Sequence, residues 1–512
     1  MNITSLIDRH ADATAGAAAV IGADGVVASW SALRSRLDRL AGALAARGIG
    51  VSDRVALLAP NGSAFFETTL AVPRLGAYIV PLNYRLAAAE LRFQLQDASP
   101  KLLIVDGAYR DLAAAIRPDM PVVGIGFDGD AGRYERWIEA AAPIAGPLDV
   151  ASDHTFGIFY TGGTTGLPKG VMLTHGNFLA NSRHVTAATD YRPADVHLHA
   201  APMFHLADLG ATFAQLYRGG AHVFLPQFRA DALCHAVQTH RVTTMLLAPT
   251  MIETLVRWER LAAFDLSSWR IMTYGGSPIT EATLTRCLDL LPCALYQGYG
   301  QTEATHTICL LRPEEHRAAL GDPAKLRRCG RPIPGMEVRI GDRDDVALPT
   351  GRIGEVLARG PIVMKGYWNR PQETSETLRG GWLHTGDLGF MDAEGYVTLV
   401  DRKKDMIVTG AENVYSAEVE SALSTHAGVS EVAVIAVPDD AFGERVHAVI
   451  VPAVGQSPTP LDLQTHCRRL IAGYKIPRSF EFVASLPKTA AGKVQKSDLR
   501  APHWRSRERA VN

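Results

Sequence analysis

Apolar positions in the first part of the chain alternate between a helical period and unbroken buried runs. Leu33, Leu37, Leu40, Ala41 and Leu44 fall on one helical face. The run Arg54-Val-Ala-Leu-Leu-Ala59 that follows reads as a buried strand, stopped by Pro60-Asn-Gly62. The same alternation predicts helices over 65–75 and 87–96, with strands over 77–81 and 101–105. It resumes as helix 229–240, strand 243–247, helix 251–261 and strand 270–274. Apolar strands alternating with helices imply α/β layers around a largely parallel sheet. No fixed-period repeat emerges.

Past residue 330 the texture changes. Short strand-like runs at 337–340, 354–359 and 395–400, set off by glycine and proline, predict a smaller β-rich subdomain. The charged break Asp401-Arg-Lys-Lys-Asp405 precedes an apolar Met406-Ile-Val408. Beyond it the pattern predicts helix 416–423, strands 432–437 and 445–452, helix 460–471 and an extended C-terminal piece. That is enough chain for a small α+β domain with its own core. The expected organisation is a large N-terminal domain, 1–401, of layered α/β subdomains plus the β-rich one, and a C-terminal domain, 402–512.

Composition narrows the partners. With 52 Lys plus Arg against 53 Asp plus Glu, the charge balance gives no reason to expect nucleic acid or an anionic membrane. The basic stretch Arg505-Ser-Arg-Glu-Arg509 reads as a solvated terminus. Six scattered cysteines show neither Cys-x-x-Cys nor a matching histidine spacing, which argues against a zinc site or a disulfide framework. The N-terminus carries charge too early for a signal peptide, and no apolar run reaches membrane-spanning length. A cytoplasmic protein is expected, and a homodimer is left open.

Four clusters carry candidate chemistry. Tyr160-Thr-Gly-Gly-Thr-Thr-Gly-Leu-Pro-Lys-Gly170 packs four glycines, three threonines and a lysine into one loop, the inventory for holding a polyphosphate. It lacks the Walker spacing, and a plain glycine/threonine turn is the ordinary alternative. Tyr296-Gln-Gly-Tyr-Gly-Gln-Thr-Glu303 flanks Tyr299 with glycines, so a flat ligand could lie on the ring, and Glu303 offers a hard oxygen suited to Mg2+. Gly380-Gly-Trp-Leu-His-Thr-Gly-Asp387 places an aspartate in a glycine-bounded loop, either a turn former or a carboxylate for ribose hydroxyls. Leu486-Pro-Lys-Thr-Ala-Ala-Gly-Lys493 ends in a lysine that alone would be only a solvated charge.

In this order and spacing the clusters resemble the adenylate-forming superfamily of acyl-CoA synthetases, nonribosomal adenylation domains and luciferases. Pro202-Met-Phe-His205, Tyr274-Gly-Gly-Ser-Pro278, Gly330-Arg-Pro-Ile-Pro-Gly335, Asp401-Arg-Lys-Lys-Asp405, Val437-Pro-Asp-Asp440 and Tyr474-Lys-Ile-Pro477 extend the resemblance over nearly the whole chain. The acyl-CoA synthetase branch, acting on fatty or aryl acids, is the nearest in kind. The resemblance implies that a carboxylic acid and ATP give an acyl adenylate and pyrophosphate, after which a CoA thiol displaces AMP.

Carried over by position, Thr161, Gly162, Gly163, Thr164, Thr165, Gly166 and Lys169 would hold the β,γ-phosphates. Gly276, Ser277, Pro278, Gln297, Gly298 and Gly300 would border the adenine, with Tyr299 stacked on it. Thr302 would meet the α-phosphate, Glu303 would hold Mg2+, and Asp387 and Arg402 would bind the ribose. Lys493 would bridge the carboxylate and α-phosphate. The C-terminal domain would be mobile about a hinge at Lys404, and Gly410, Ala411, Glu412 and Asn413 would line a tunnel for CoA.

Three positions depart from the family pattern. Gly162 stands where serine is common, removing one hydroxyl donor. Ala411 replaces a second glycine, and Ser416 replaces a proline, which is expected to matter little. Around the acyl group the expected lining is Phe204, His205, Leu206, Thr250, Tyr274, Gly275, Gly298 and His306, with His205 also counted among the catalytic candidates; a packed strand-end histidine is its ordinary alternative. The chain lacks the aspartate that amino-acid-activating relatives carry near His205, and it has no carrier attachment site. These features favour a stand-alone ligase for a fatty or aromatic monocarboxylate. An acyl-AMP ligase loading a carrier protein and a noncatalytic nucleotide-binding homologue remain alternatives.

Overall fold

The computed structural model describes residues 2–505 apart from 23, 24, 26, 117, 128–131, 162–167, 278, 410, 411, 441 and 489–492, and apart from the side chains of 132, 133, 323 and 324. The candidates Gly162, Gly163, Thr164, Thr165, Gly166, Pro278, Gly410 and Ala411 lie outside the described residues. The chain packs as two compact units, one drawn from 2–161, 168–338 and 358–383, the other from 339–357 and 384–505.

Two sheets organise the larger unit. In the first, Tyr78–Pro81, Arg54–Leu58, Leu102–Asp106 and Val122–Ile125 pair in parallel. Thr155–Thr161 adds alongside Tyr78–Pro81, and Lys169–Thr174 returns antiparallel to it as a hairpin. The short strand Gly366–Tyr367 closes that edge. The parallel strands read as unbroken apolar runs because both faces are covered, one by the cluster around Leu57, Phe65 and Phe156, the other by that around Leu58, Leu91 and Ile158. The second sheet has a parallel centre, Ala221–Phe224, Val196–His199, Thr244–Leu247, Ile271–Gly275 and Ala294–Tyr299, extended by antiparallel Cys309–Leu311 and Arg328–Pro332. Its core gathers Leu233, Val237, Ile252, Leu255 and Trp269.

The smaller unit contains an antiparallel pair, Leu383–Met391 with Val397–Arg402, that sets Asp387 directly across from Arg402. A further sheet pairs Val429–Asp439 with Gly443–Pro452, flanked by Ile407–Thr409 and Ser479–Phe482. The helices Ser416–Ser424 and Pro460–Cys467 supply Val419, Leu423 and Leu463 to its core.

Three element expectations change. The helix expected over 251–261 stops at Val256. The one expected to 471 stops at Cys467. The extended C-terminal piece instead contains the helix Lys496–Trp504, whose Trp504 indole donates to the Ala436 carbonyl at 3.0 Å. No helix among the described residues is long and apolar enough to cross a membrane. None of the six cysteines forms a disulfide.

Candidate active site

The parallel register of the second sheet collects the candidates of the larger unit. Open α/β sheets bind ligands beyond the carboxyl ends of their strands, where loops converge. Val196–His199 leads into Phe204 and His205, and His205 caps the helix Leu206–Arg218. Thr244–Leu247 leads into exposed Thr250, on the first turn of the helix Pro249–Val256. Ile271–Gly275 leads into Gly276 and Ser277, and Ala294–Tyr299 into Gly300, Thr302 and Glu303. Gly275 lies beside Gly298 in register, as Tyr274 lies beside Gln297.

Glu303 occupies a single 3-10 turn, Thr302–Ala304, followed by Thr305 at φ +58° and ψ −54°. A β-branched residue in this γ-turn geometry costs about 1–3 kcal/mol and needs neighbours to enforce it. The segment 362–367 does so at three points. Ile362 carbonyl accepts from the Thr305 hydroxyl at 2.7 Å, Met364 N–H donates to the Glu303 carbonyl at 2.8 Å, and the Tyr367 hydroxyl donates to Glu303 Oε1 at 2.9 Å. The same stretch is fixed to the glycine/threonine hairpin: Tyr367 pairs with Val171, and Trp368 N–H donates to the Gly170 carbonyl at 2.7 Å.

Lys169 opens the second hairpin strand opposite Thr161, whose hydroxyl donates to the Lys169 carbonyl at 3.4 Å. Its ammonium stands 5.0 Å from the centroid of the Tyr367 ring. One aromatic ring therefore orients a cation on its face and a carboxylate at its hydroxyl. Tyr367 was not among the sequence candidates. Its partners are more than sixty residues away, and Gly366-Tyr367-Trp368 carries no local chemical signature.

Glycines define how closely the backbones approach. A Cβ on Gly300 would lie 1.8 Å from the His306 carbonyl oxygen, and one on Gly275 would lie 2.2 Å from that of Gly298. Gly298 alone of the three has room, its nearest contact being Thr307 Oγ1 at 3.5 Å. His306 is packed against Gly210 of the helix that His205 begins, its Nδ1 lies 2.7 Å from Thr307 Oγ1, and burial lowers its pKa to about 4, so the ring is neutral.

Tyr274 lies on the strand Ile271–Gly275. Its side chain is buried in the core, and its hydroxyl reaches His316 Nε2 at 2.9 Å and Gln297 Oε1 at 3.4 Å. Phe204, also buried, meets Tyr84 edge-on at 5.0 Å, and Tyr84 stacks on Tyr109 at 4.7 Å.

In the smaller unit Arg402 Nε approaches Asp387 Oδ1 at 3.2 Å. The Asp387 turn is pinned by Glu355, which accepts from Gly386 N–H at 3.1 Å and from the Lys403 ammonium at 3.1 Å. Lys493 is exposed by surface area, yet protein crowds its ammonium. Desolvation chiefly lowers its pKa, Arg402 adds repulsion, and Asp387 opposes both. Those three candidates thus sense one another.

Lys404 is half-buried in the turn after Arg402, and burial lowers its pKa to about 8. Glu412 and Asn413 are exposed on the strand Glu412–Val414. Ser416, expected to be neutral in effect, is a junction. Its N–H donates to Asp401 Oδ2 at 2.5 Å, its hydroxyl to the same carboxylate at 2.8 Å, and the Lys496 ammonium donates to that hydroxyl at 2.6 Å. A proline could make none of these bonds.

Residues 7–368 match the AMP-binding enzyme family, and 418–493 match the AMP-binding enzyme C-terminal domain. A feruloyl-CoA synthase of an Amycolatopsis species is 39% identical over 481 residues, covering 93% of this chain and 94% of the relative. A fatty acid–[acyl-carrier-protein] ligase, ScoC of Streptomyces coeruleorubidus, is 35% identical over 497 residues, covering 96% and 94%. Among solved structures, ATP-bound MatB from Rhodopseudomonas palustris superposes with a TM-score of 0.88 at 32% identity, covering 98% of this chain and 99% of that one. Likeness at this level spans the glycine-rich hairpin, the Glu303 turn and the Lys493 region alike, so the chain belongs to the AMP-binding enzyme family, the adenylate-forming enzymes.

Proposed function

We propose that this protein is an ATP-dependent carboxylic acid–CoA ligase for an aromatic or fatty monocarboxylate. The observation that carries the reading is the Lys169–Tyr367–Glu303 arrangement, a cation and a carboxylate fixed on one ring at the base of a glycine/threonine hairpin. Both reactants are anions, so positioned positive charge must come before bond formation. In the reaction a carboxylate oxygen bonds to the α-phosphorus as pyrophosphate leaves. The CoA sulfur then bonds to the acyl carbon as AMP leaves, and the thiol proton passes to solvent.

Thr161, Gly162, Gly163, Thr164, Thr165, Gly166 and Lys169 would hold the β,γ-phosphates. Glu303 suits Mg2+: it offers hard carboxylate oxygen, and Tyr367 fixes its orientation. Bound there, the ion would supply charge neutralisation for the triphosphate. Tyr299 and the glycines beside it would take the adenine, and Thr302 the α-phosphate. Asp387 and Arg402 would take the ribose hydroxyls, and Lys493 the charge developing on the carboxylate and α-phosphate. Phe204, His205, Thr250, Tyr274, Gly275 and His306 would border the acyl group. Glu412 and Asn413 would face CoA, with a domain boundary at Asp401–Asp405 and a hinge at Lys404.

A second reading, in which a carrier-protein thiol replaces CoA, is favoured by the 35% identity to the fatty acid–[acyl-carrier-protein] ligase. Incubation with ATP, Mg2+ and a panel of aromatic and fatty acids, with CoA or a phosphopantetheinylated carrier protein, separates the two. Acyl-CoA detected by mass spectrometry supports the first reading. Acylated carrier without acyl-CoA supports the second, and no product with any acid rejects both.

A further inference from the structure

Between the second sheet and the helix Leu206–Arg218 lies a layer of polar side chains sealed from solvent. His197 and His199 alternate along one strand and so share a face. His222 and Thr244 stand on either side of His197 in the parallel register. From the helix come Asp208, Thr212 and Gln215, spaced i, i+4 and i+7 along one helical face. Each of these seven residues is at most 1% exposed. A buried layer of this kind is expensive unless its polar atoms are satisfied.

Hydrogen bonds hold one ring nitrogen of His197 and leave its other turned inward, whereas both ring nitrogens of His199 have partners. His197 Nδ1 meets Thr244 Oγ1 at 2.9 Å, while its buried Nε2 has no partner. His199 Nε2 meets His222 Nδ1 at 2.9 Å, and its Nδ1 faces Asp208 Oδ2 at 2.7 Å. Asp208 Oδ1 is buried and unpartnered. Ligand-capable atoms of His197, His199 and Asp208 all lie within 4.8 Å of one another. His197, fixed through one ring nitrogen with the other left for a ligand, shows the pattern of a metal-binding histidine and its outer partner, and His199, held by His222, turns its Nδ1 to the Asp208 carboxylate.

We propose that His197, His199 and Asp208 form a structural site for a divalent transition-metal cation of the zinc class, with Thr244 and His222 orienting the two imidazoles. Two imidazole nitrogens and one carboxylate select zinc, cobalt or nickel over magnesium or calcium. Ligation takes neutral imidazoles and an ionised carboxylate, and a dication would supply charge to offset burial of the Asp208 carboxylate. The site would pin the strand Val196–His199 to the helix whose first turn carries His205, and it is independent of the reaction assigned above.

The full chain, expressed in medium supplemented with Zn2+ or Co2+, freed of any affinity tag and washed with EDTA, is analysed for metal by mass spectrometry. About one tightly held equivalent per chain is expected, and the Co2+ form should show visible d–d absorption. His197→Gln and Asp208→Asn should reduce both to background. His447→Gln, in the separate His447, Glu481, His503 group, should leave both unchanged. Wild-type protein without EDTA-resistant metal and without cobalt absorption overturns the proposal, even if the variants fail to fold. Metal retained by both first-named variants, or lost with His447→Gln, overturns it equally.

Discussion

Replacing Gly300 with alanine tests how the Glu303 turn is positioned. The added Cβ would sit 1.8 Å from the His306 carbonyl oxygen, 2.8 Å from its carbon and 3.1 Å from Thr307 Cα. These are backbone atoms, so no rotamer change relieves the clash. Reaching even a 3.0 Å separation requires the strand end and the 306–307 segment to part by 3.0 minus 1.8, or 1.2 Å. The intervening turn contains Thr305 at φ +58°, held by Ile362, and Glu303, held by Met364, so parting the backbones must break these holds and shift Thr302 and Glu303. Overpacking of this kind costs about 1–3 kcal/mol of stability. A misplacement near 1 Å costs on the order of 100-fold in rate, or roughly 2.7 kcal/mol in the barrier. The assay is acid-dependent pyrophosphate release, read as kcat/KM, beside a thermal melt. Gly48→Ala, away from the assigned site, is the control: it has φ +79° with open space around its Cβ, so only backbone strain of about 1–2 kcal/mol applies. A Gly300→Ala enzyme with wild-type kcat/KM would refute the reasoning.

Tyr367→Phe keeps the ring under Lys169 but removes the donor to Glu303, a bond to a charged group worth about 1.5–3 kcal/mol. Pyrophosphate release should fall at least about tenfold and need more Mg2+; an unchanged Mg2+ titration contradicts this. Ser416→Pro removes the bonds to Asp401 and Lys496 and should destabilise the smaller unit by about 2–3 kcal/mol in denaturant melts; an unaltered melt argues against the junction. Lys404, at about 8, sits below the ordinary lysine value of 10.5, so its native-state penalty is full below pH 8 and relieved as pH rises toward 10.5. The stability gap favouring Lys404→Met should therefore be widest below pH 8 and close above it; a gap independent of pH shows that the lysine is not desolvated.

Much of the fold was legible because the parallel strands are buried on both faces and read as apolar runs, Arg54–Leu58 and Thr244–Leu247 among them. The helix Lys496–Trp504 escaped notice because Pro502 and a mostly polar sequence hide its period, and its order comes from tertiary contacts such as Trp504 with Ala436. The candidate clusters were legible through their glycines. How a side chain turns was not: Tyr274 sits in a recognisable motif, yet its hydroxyl goes to His316, which the sequence does not link to it. Tyr367 depends on pairing across nearly two hundred residues, which no local pattern encodes. The alternation Val-His-Leu-His over 196–199 was a visible signal for the buried polar layer, since both histidines fall on the face of a strand that is covered.

The most direct test of adenylate formation is acid-dependent exchange of labelled pyrophosphate into ATP, with wild-type enzyme and Lys493→Ala, in the absence of CoA. The account predicts exchange with at least one aromatic or fatty monocarboxylate and its near-complete loss in the variant, while ATP binding survives. Acid-dependent exchange that persists undiminished in Lys493→Ala, or its absence with every acid in the wild-type enzyme, would contradict it.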